Sequence, residues 1–287
     1  MMDTDSLQDS RIGRLIEEAL MEDVGFGDIT SESLIPEEQL GKAVIQLKEP
    51  GIISGIELVA LVFQYADPQT TVTPKIEDGM MGSPGQLIGE VDGPVRGILL
   101  GERVALNFLQ RMSGIATITH RYVHAVEGTG AKITDTRKTV PGLRMLDKKA
   151  VRDGGGVNHR FGLDQMVLIK DNHIAAAGSL TKAVVACREY LRARSVEIPI
   201  EVETTSMAQV SEAAACGGLT RIMLDNFPLE AMAEAVRLID HKVEVEASGG
   251  VTLETVRHIA ETGVDFISVG ALTHSPKALD ISLEIVS

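Results

Sequence analysis

Seven cationic side chains lie within 24 residues of this 287-residue chain, where an even distribution of its 27 lysines and arginines would place two or three. The formal net charge is -14, so this cluster is a local exception. Guanidinium groups bind carboxylates and phosphates through paired hydrogen bonds, and lysines act as compact point charges. The cluster therefore predicts a site for a ligand with more than one anionic group. Its members are Arg137, Lys138, Arg144, Lys148, Lys149, Arg152 and Arg160.

A second set of polar residues ends six strand-like segments at spacings of 33, 33, 22, 23 and 22 residues, about one strand-helix unit each. In a (β/α) barrel such residues converge on the face at the C-terminal ends of the strands. A lysine after an apolar strand fits an anion contact or a Schiff base. Carboxylates there can hold Mg²⁺ through water, bind sugar hydroxyls or stabilise developing positive charge. The set comprises Arg137, Lys170, Glu203, Asp225, Ser248 and Gly270.

Glycines accompany several of these residues. "GGGVN" precedes His159 and Arg160, and Ser248 is followed by Gly249 and Gly250. Backbone N–H groups after the last two strands of a barrel often bind phosphate. The combination predicts a phosphosugar site beside a second, carboxylate-bearing substrate. His159 alone is compatible with a structural or an anion-binding role. The middle cations, "RMLDKKAVR", are interpreted as a solvated helix face, and ligand contacts by Lys148 and Lys149 are left open.

The elements that must position these residues follow from the apolar pattern. Six continuous apolar runs alternate with helical segments in the second half, which indicates parallel strands buried on both faces. Reactive strand ends and the lack of a GxGxxG turn favour an incomplete barrel over a doubly wound sheet. The first hundred residues predict an α+β domain, and a long helical stretch from Gly101 connects the two halves.

Composition excludes several classes of partner. The chain has no Trp, three Tyr and six Phe, too few rings for single-stranded nucleic-acid binding by stacking. The net charge argues against duplex DNA and anionic membranes. There is no signal-peptide pattern and no apolar run long enough to span a membrane, so a cytoplasmic location is expected. Cys187 and Cys216 lack a metal-binding spacing and are expected to be buried thiols.

Eight motifs, in order along nearly the whole chain, carry a family resemblance. The sequence resembles the quinolinate phosphoribosyltransferases (nicotinate-nucleotide pyrophosphorylase, carboxylating). The motifs are "EDVGFGDIT" at 22–30, "GERVALNFLQRMSGIAT" at 101–117, "DTRKTVPGLR" at 135–144, "GGGVNHRFGL" at 154–163, "LIKDNHI" at 168–174, "EVE" at 201–203, "MLDNF" at 223–227 and "EASGGVTL" at 246–253.

This resemblance implies a fold and a reaction. The fold is an N-terminal α/β sandwich domain over residues 1–113, to which residues 275–287 return, and an incomplete (β/α) barrel over residues 114–274. The reaction is phosphoribosyl transfer from phosphoribosyl pyrophosphate to quinolinate, giving nicotinate mononucleotide, pyrophosphate and CO₂ in NAD biosynthesis. Mg²⁺ would act on the pyrophosphate. The implied assembly is a homodimer with shared active sites, with a higher oligomer left open.

The resemblance also implies roles for individual residues. The quinolinate carboxylates would contact Arg103 (from the neighbouring subunit), Arg137, His159, Arg160 and Lys170. The phosphoribosyl substrate would be served by Lys138, Glu203 and Asp225, and its 5′-phosphate by Ser248, Gly249, Gly250 and Gly270. Thr139 would join the substrate-binding residues. The catalytic candidates are Lys138, Lys170, Glu203 and Asp225. No residue binds the metal directly; Mg²⁺ would be bridged by water to Glu203 and Asp225.

Three alternatives remain open on the sequence. A homologue associated with molybdenum transport shares "TRKT" and "GGG", but the intact "HRFGL" and "LIKDNH" motifs favour the quinolinate enzyme. A barrel lyase would use Lys170 as a Schiff base, which borohydride reduction with substrate would trap. A non-catalytic metabolite sensor would show degraded site residues, and none is evident here.

Overall fold

Helices and strands alternate along residues 10–286, the part of the chain that the computed structural model describes. Residues 1–9 and Ser287, including the start of the acidic N-terminal segment, lie outside it. The helices are α1 Ser10–Val24, α2 Ile29–Leu34, α3 Ile56–Ala66, α4 Val95–Ala125, α5 Arg144–Asp153, α6 Asp171–Ala177, α7 Leu180–Ala193, α8 Met207–Ala215, α9 Leu229–Ile239, α10 Val256–Ala260 and α11 Ala271–His274. The strands are β1 Leu40–Leu47, β2 Gly51–Ile52, β3 Thr71–Pro74, β4 Met81–Gly82, β5 Leu87–Pro94, β6 Lys132–Thr134, β7 Val167–Ile169, β8 Ile200–Thr204, β9 Arg221–Asp225, β10 Glu244–Ser248, β11 Phe266–Ser268 and β12 Ile281–Val286.

The described residues form two units. The first contains those up to His120, together with Thr139–Gly155 and those from Leu272 onward; the second contains Arg121–Lys138 and Gly156–Ala271. The boundary between the units therefore falls within α4, a 31-residue helix without proline. Thr139–Gly155 groups with the first unit, although the boundaries predicted from the sequence placed it in the barrel.

The first unit is built on an antiparallel sheet in the order β12-β1-β5-β3. Its central strand β1 buries Ala43, Ile45 and Leu47 at alternate positions, as expected for a strand with one face toward a core. β12 pairs with β1 from Lys42↔Val286 to Leu47↔Ile281. The C-terminal strand therefore belongs to the sheet of the first unit.

The second unit is built on a parallel sheet of six strands in the order β6-β11-β10-β9-β8-β7. This is the order of a barrel whose consecutive strands are neighbours and whose last strand returns to the first, with a gap between β6 and β7. A single parallel bridge from Thr134 to Val157 lies on the otherwise open edge of β6. The predicted fold class, an α/β sandwich domain followed by an incomplete barrel, is confirmed.

The segment "RMLDKKAVR" forms α5, but its interpretation as a solvated helix face was wrong. Lys148 is only 2% exposed, and Asp147 is fully buried. Lys149 Nζ lies 2.6 Å from Asp78 Oδ2 and 2.7 Å from Asp153 Oδ2. Burial lowers the pKa of Lys149, but the two carboxylates outweigh this effect and leave the pKa above its usual value. Acidic partners distant in sequence thus allow α5 to pack inward.

The two cysteines and the apolar character of the helices were also the subject of predictions from the sequence. Cys187 and Cys216 are free thiols, but both are half-exposed and not buried as expected, because they lie toward the outer sides of α7 and the end of α8. Between residues 10 and 286, no helix combines the length and apolar character needed to cross a membrane.

The ion pair between Arg111 and Asp147 tests how α5 is held. Arg111 donates from Nε and Nη2 to the two Asp147 oxygens at 2.9 and 2.8 Å. Arg111→Met leaves a buried carboxylate without its cation, so we expect the free energy of unfolding to fall by about 3–5 kcal/mol. Loss of the cation further raises the pKa of Asp147, which burial already raises. The deficit should therefore grow as pH rises above the pKa that Asp147 has in the folded wild type, because the carboxyl then ionises in the wild type but less readily in the variant.

Urea denaturation at several pH values provides the measurement. Arg14→Met, at an exposed position of α1, is the control and should change stability by less than about 0.5 kcal/mol. The double variant Arg111→Met with Asp147→Leu should regain most of the loss. A single variant no less stable than the Arg14 control would contradict this account.

Candidate active site

The C-terminal ends of β8, β9 and β10 bring three predicted site residues to one edge of the second unit's sheet. Ser248 is the register partner of Asp225, and Glu203 is the partner of Met223, two residues before Asp225. Alternate residues of a strand share a face, so Glu201 and Glu203 point to the same side. At the starts of β9 and β11, the guanidinium of Arg221 lies 3.7 Å from the ring centroid of Phe266.

Lys170 and Glu203 meet as an ion pair at this edge. Lys170 follows β7, and its backbone N–H donates to Nδ1 of His173 at 2.9 Å where α6 begins. The carboxylate of Glu203 is largely buried, whereas the lysine is partly exposed. A partly exposed ammonium beside a buried carboxylate can contact an anionic ligand while it remains anchored. No role was predicted for His173, although it lies three residues after Lys170 in the motif "LIKDNHI".

Asp225 adjoins the glycine turn that follows β10. Asn226 Nδ2 donates to Asp225 Oδ2 at 2.9 Å, and the Asn226 N–H donates to the Ser248 carbonyl at 2.8 Å. Gly249 and Gly250 have φ values of +96° and +60°. A Cβ at Gly249 would lie 2.2 Å from Asn226 Oδ1, so only glycine allows this approach. Successive N–H groups in such a turn can form an anion-binding concavity.

Arg137 and Arg160 are near enough to affect each other. Burial lowers the pKa of Arg160, and the positive charge of Arg137 lowers it further. Arg160 is held by a hydrogen bond from Nη1 to the Met166 carbonyl at 2.9 Å. Arg137 and Lys138 follow β6 and are exposed. Two guanidinium groups near each other can bind a ligand with two anionic groups.

Charged side chains of β8, β9 and β10 form a largely buried network with His159. His159 Nε2 is 3.0 Å from Glu201 Oε2 and 3.5 Å from Glu246 Oε2. Arg221 Nη1 donates to Glu246 Oε2 at 2.7 Å, and Arg221 Nε and Nη2 donate to Glu244 Oε2 at 3.1 and 2.9 Å. Glu201 and Glu246 have no solvent exposure. Sequence reasoning missed Arg221 and Glu246, although each lies at an even spacing before a predicted site residue on its strand.

Opposing effects determine the protonation of this network. Burial raises the pKa of Glu201. Burial opposes ionisation of Glu246 as well, but His159 and Arg221 outweigh it and lower its pKa. Burial lowers the pKa of His159, whereas the two carboxylates raise it to about 9. The Arg160 N–H donates to His159 Nδ1 at 2.8 Å. This bond favours neutral imidazole with its proton on Nε2, because imidazolium has no lone pair at Nδ1.

Among residues 10–286, one group of histidine and acidic side chains is close enough to share a metal ion. It consists of His159, Glu201 and Glu246. Glu246 already accepts from the guanidinium of Arg221, which would repel a second cation. Glu203 and Asp225, near the C-terminal ends of their strands, are the other carboxylates that could hold a water-bridged Mg²⁺, although Glu203 already pairs with Lys170.

The remaining predicted residues are placed as follows. Gly270 is half-buried in the second unit, two residues after β11. Arg103 and Thr139 belong to the first unit. Arg103 is exposed on α4, and the Thr139 hydroxyl accepts from Arg144 Nε at 3.1 Å. The roles of all the predicted site residues, Arg103 and Thr139 included, stay predictions.

Comparison with known proteins identifies the family. Residues 28–113 match the model for the N-terminal domain of quinolinate phosphoribosyl transferase, and residues 115–284 match the model for its C-terminal domain. The chain belongs to the quinolinate phosphoribosyltransferase family.

Relatives of this family are similar over most of their length. A quinolinate phosphoribosyltransferase [decarboxylating] 1b from Nicotiana tabacum is 48% identical, over 94% of this chain and 81% of that protein. A probable nicotinate-nucleotide pyrophosphorylase [carboxylating] from Bacillus subtilis is 43% identical, over 96% and 93%. The crystal structure of NadC from Streptococcus pyogenes has a TM-score of 0.92 and 40% identity, over 98% of this chain and 99% of that one.

Gly249 provides a test of the turn beside Asp225. Gly249→Ala forces a side chain into the left-handed region and against Asn226, so we expect the free energy of unfolding to fall by about 1–3 kcal/mol. Gly217→Ala is the matched control, because a Cβ there meets no atom within 4 Å. Denaturant unfolding of both variants checks the prediction, and equal stability of the two would show that the turn is not constrained.

Proposed function

We propose that this protein catalyses the decarboxylating transfer of phosphoribosyl from phosphoribosyl pyrophosphate to quinolinate, a step of NAD biosynthesis that yields nicotinate mononucleotide, pyrophosphate and CO₂. The observation that carries the proposal is that the strand ends of the second unit bring together the Lys170–Glu203 ion pair, Asp225 and Ser248, with Arg137 near enough to Arg160 to contribute to the lowering of its pKa. Family membership supports the same reaction.

In this proposal Arg137, Arg160 and Lys170 bind the two carboxylates of quinolinate. Two positioned guanidiniums can each take a carboxylate in a bidentate manner, which fixes the direction of the ring nitrogen. A nucleophile held toward the anomeric carbon supplies much of the rate enhancement. The predicted contact from His159 requires its ring to move, because both ring nitrogens face protein groups in the structure.

The phosphoribosyl substrate is assigned to the carboxylates and the glycine turn. As pyrophosphate leaves, the ribose gains oxocarbenium character, which the negative charges of Glu203 and Asp225 stabilise. Lys138 offsets the charge of the departing pyrophosphate. Ser248, Gly249, Gly250 and Gly270 bind the 5′-phosphate through backbone N–H groups. Mg²⁺, held on the pyrophosphate and bridged by water to Glu203 and Asp225, would neutralise charge on the leaving group.

The direct test is an activity assay. The purified protein, incubated with quinolinate, phosphoribosyl pyrophosphate and Mg²⁺, should form nicotinate mononucleotide and CO₂ in equal amounts. Chelation of the metal should reduce the rate, and addition of Mg²⁺ should restore it. Turnover of a different base, with no product from quinolinate, would overturn the proposal.

We also propose a homodimer in which Arg103 completes the partner's site. Support comes from the first unit, where several large apolar side chains between residues 21 and 40 are exposed, Phe26 by 94%. Exposed apolar surface of this kind is typical of a contact between proteins. The same helix that carries Arg103 lines a cleft of about 350 Å³ with α1, whose acidic residues Glu18, Glu22 and Asp23 form part of its wall.

The cytoplasmic location stays a prediction.

Complementation tests the shared site. Arg103→Ala and Lys138→Ala proteins should each lose most activity, because each lacks a cation that binds a polyanionic substrate. Mixed dimers carry one site with both cations intact, so up to about a quarter of wild-type activity should return after random reassociation. Affinity tags on the two variants would confirm heterodimers. Heterodimers as inactive as the parents would refute the contribution of Arg103 to the partner's site.

A further inference from the structure

Asp135 lies two residues before Arg137 and is fully buried, with an exposed fraction of 0%. Its Oδ1 accepts the backbone N–H of His159 at 2.9 Å, and its Oδ2 accepts Nδ2 of Asn158 at 2.6 Å. Both donors belong to the segment that leads to Arg160. The carboxylate therefore joins the two segments that carry the paired arginines.

The backbone brings these segments together only briefly. Val157 N–H donates to the Ile133 carbonyl at 2.9 Å, and Asp135 N–H donates to the Val157 carbonyl at 3.3 Å. This short pairing sits on the edge of β6 that faces the gap in the sheet. Beyond it the side chain of Asp135 continues the connection toward Asn158 and His159.

The connection opposes an electrostatic force. The charge of Arg137 adds to the effect of burial in lowering the pKa of Arg160, so the two like-charged side chains repel each other. The Arg160 arm is held at its backbone by His159 Nδ1 and at its guanidinium by the Met166 carbonyl. The Asp135 side chain adds a second link between this segment and the one that leads from β6 to Arg137.

We infer that Asp135 is a positioning residue, which fixes the separation of Arg137 and Arg160 and so the affinity for the dicarboxylate substrate. This inference rests on the proposed function. A carboxylate suits the task, because it accepts from both donors and its hydrogen bonds are stronger than those of a neutral acceptor. Its negative charge also reduces the repulsion between the two guanidiniums.

The test uses exchange of the two side chains. Asn158→Asp places two carboxylates together in a buried position, and we expect the KM for quinolinate to rise at least about tenfold, while the KM for phosphoribosyl pyrophosphate changes less than about twofold. The double variant Asp135→Asn with Asn158→Asp restores one carboxylate and one amide with reversed roles. It should bring the KM for quinolinate back to within about threefold of wild type.

Two controls accompany the exchange. Asp240→Asn, at an exposed left-handed position after α9 where asparagine is equally suitable, should leave both KM values unchanged. Asn158→Ala replaces Asn158→Asp in the test if the latter does not fold. It removes the donor without adding charge, and should raise the KM for quinolinate by at least about threefold. Circular dichroism and thermal unfolding establish which variants are folded.

Hydrogen exchange gives a readout that does not need catalysis. The amide protons of His159 and Arg160 should exchange at least about tenfold faster in Asn158→Asp than in wild type, and the double variant should restore protection. If the wild type were inactive but the variants showed these exchange rates, the proposed function would be refuted, while the structural connection from Asp135 to Asn158 and His159 would stand. An active wild type would overturn the inference if Asn158→Asp kept its KM for quinolinate, if both KM values rose equally, or if the double variant gave no recovery.

Discussion

Two carboxylates without solvent exposure, Glu201 and Glu246, impose the main constraint on the second unit. Burial of an ionised carboxylate costs several kcal/mol unless a cation or a hydrogen-bond donor accompanies it. Arg221 and His159 provide that compensation, and each is thereby fixed in place. The fixed imidazole in turn accepts the Arg160 amide. The position of a cation at the mouth of the site thus depends on anions in the interior.

The same principle explains the charge distribution of the whole chain. A net charge of -14 would by itself disfavour an anionic ligand, but Glu201, Glu203 and Glu246 near the candidate site are buried or paired. Asp135, Glu201 and Glu246 face inward and hold cations or donors, whereas Arg137 and Lys138 are exposed at the surface. A ligand at this surface therefore meets positive charge first.

Local pattern was enough to predict the strands and the positions of the residues at their ends. Continuous apolar runs such as "MVLI" depend only on neighbours in sequence, and alternation placed Glu201 and Glu203 on one face. The environment of α5 could not be predicted in this way. Lys149 and Asp78 are 71 residues apart, and Arg111 and Asp147 are 36 apart, so nothing local indicates that these charges are paired. The ties from Asp135 to Asn158 and His159 escaped prediction for the same reason.

The position of β6 in its sheet has a consequence for the order of folding. β7 to β11 each pair with a strand that is adjacent in the chain, whereas β6, residues 132–134, pairs with residues 266–268. Closure of so long a loop carries a large entropic cost and slows the formation of the contact. Arg137 and Lys138 follow β6 closely, so we expect them to reach their final positions only after β11 has formed. The binding surface is thus completed at the end of folding, and a nascent chain released without β11 would hold its cations but not the site.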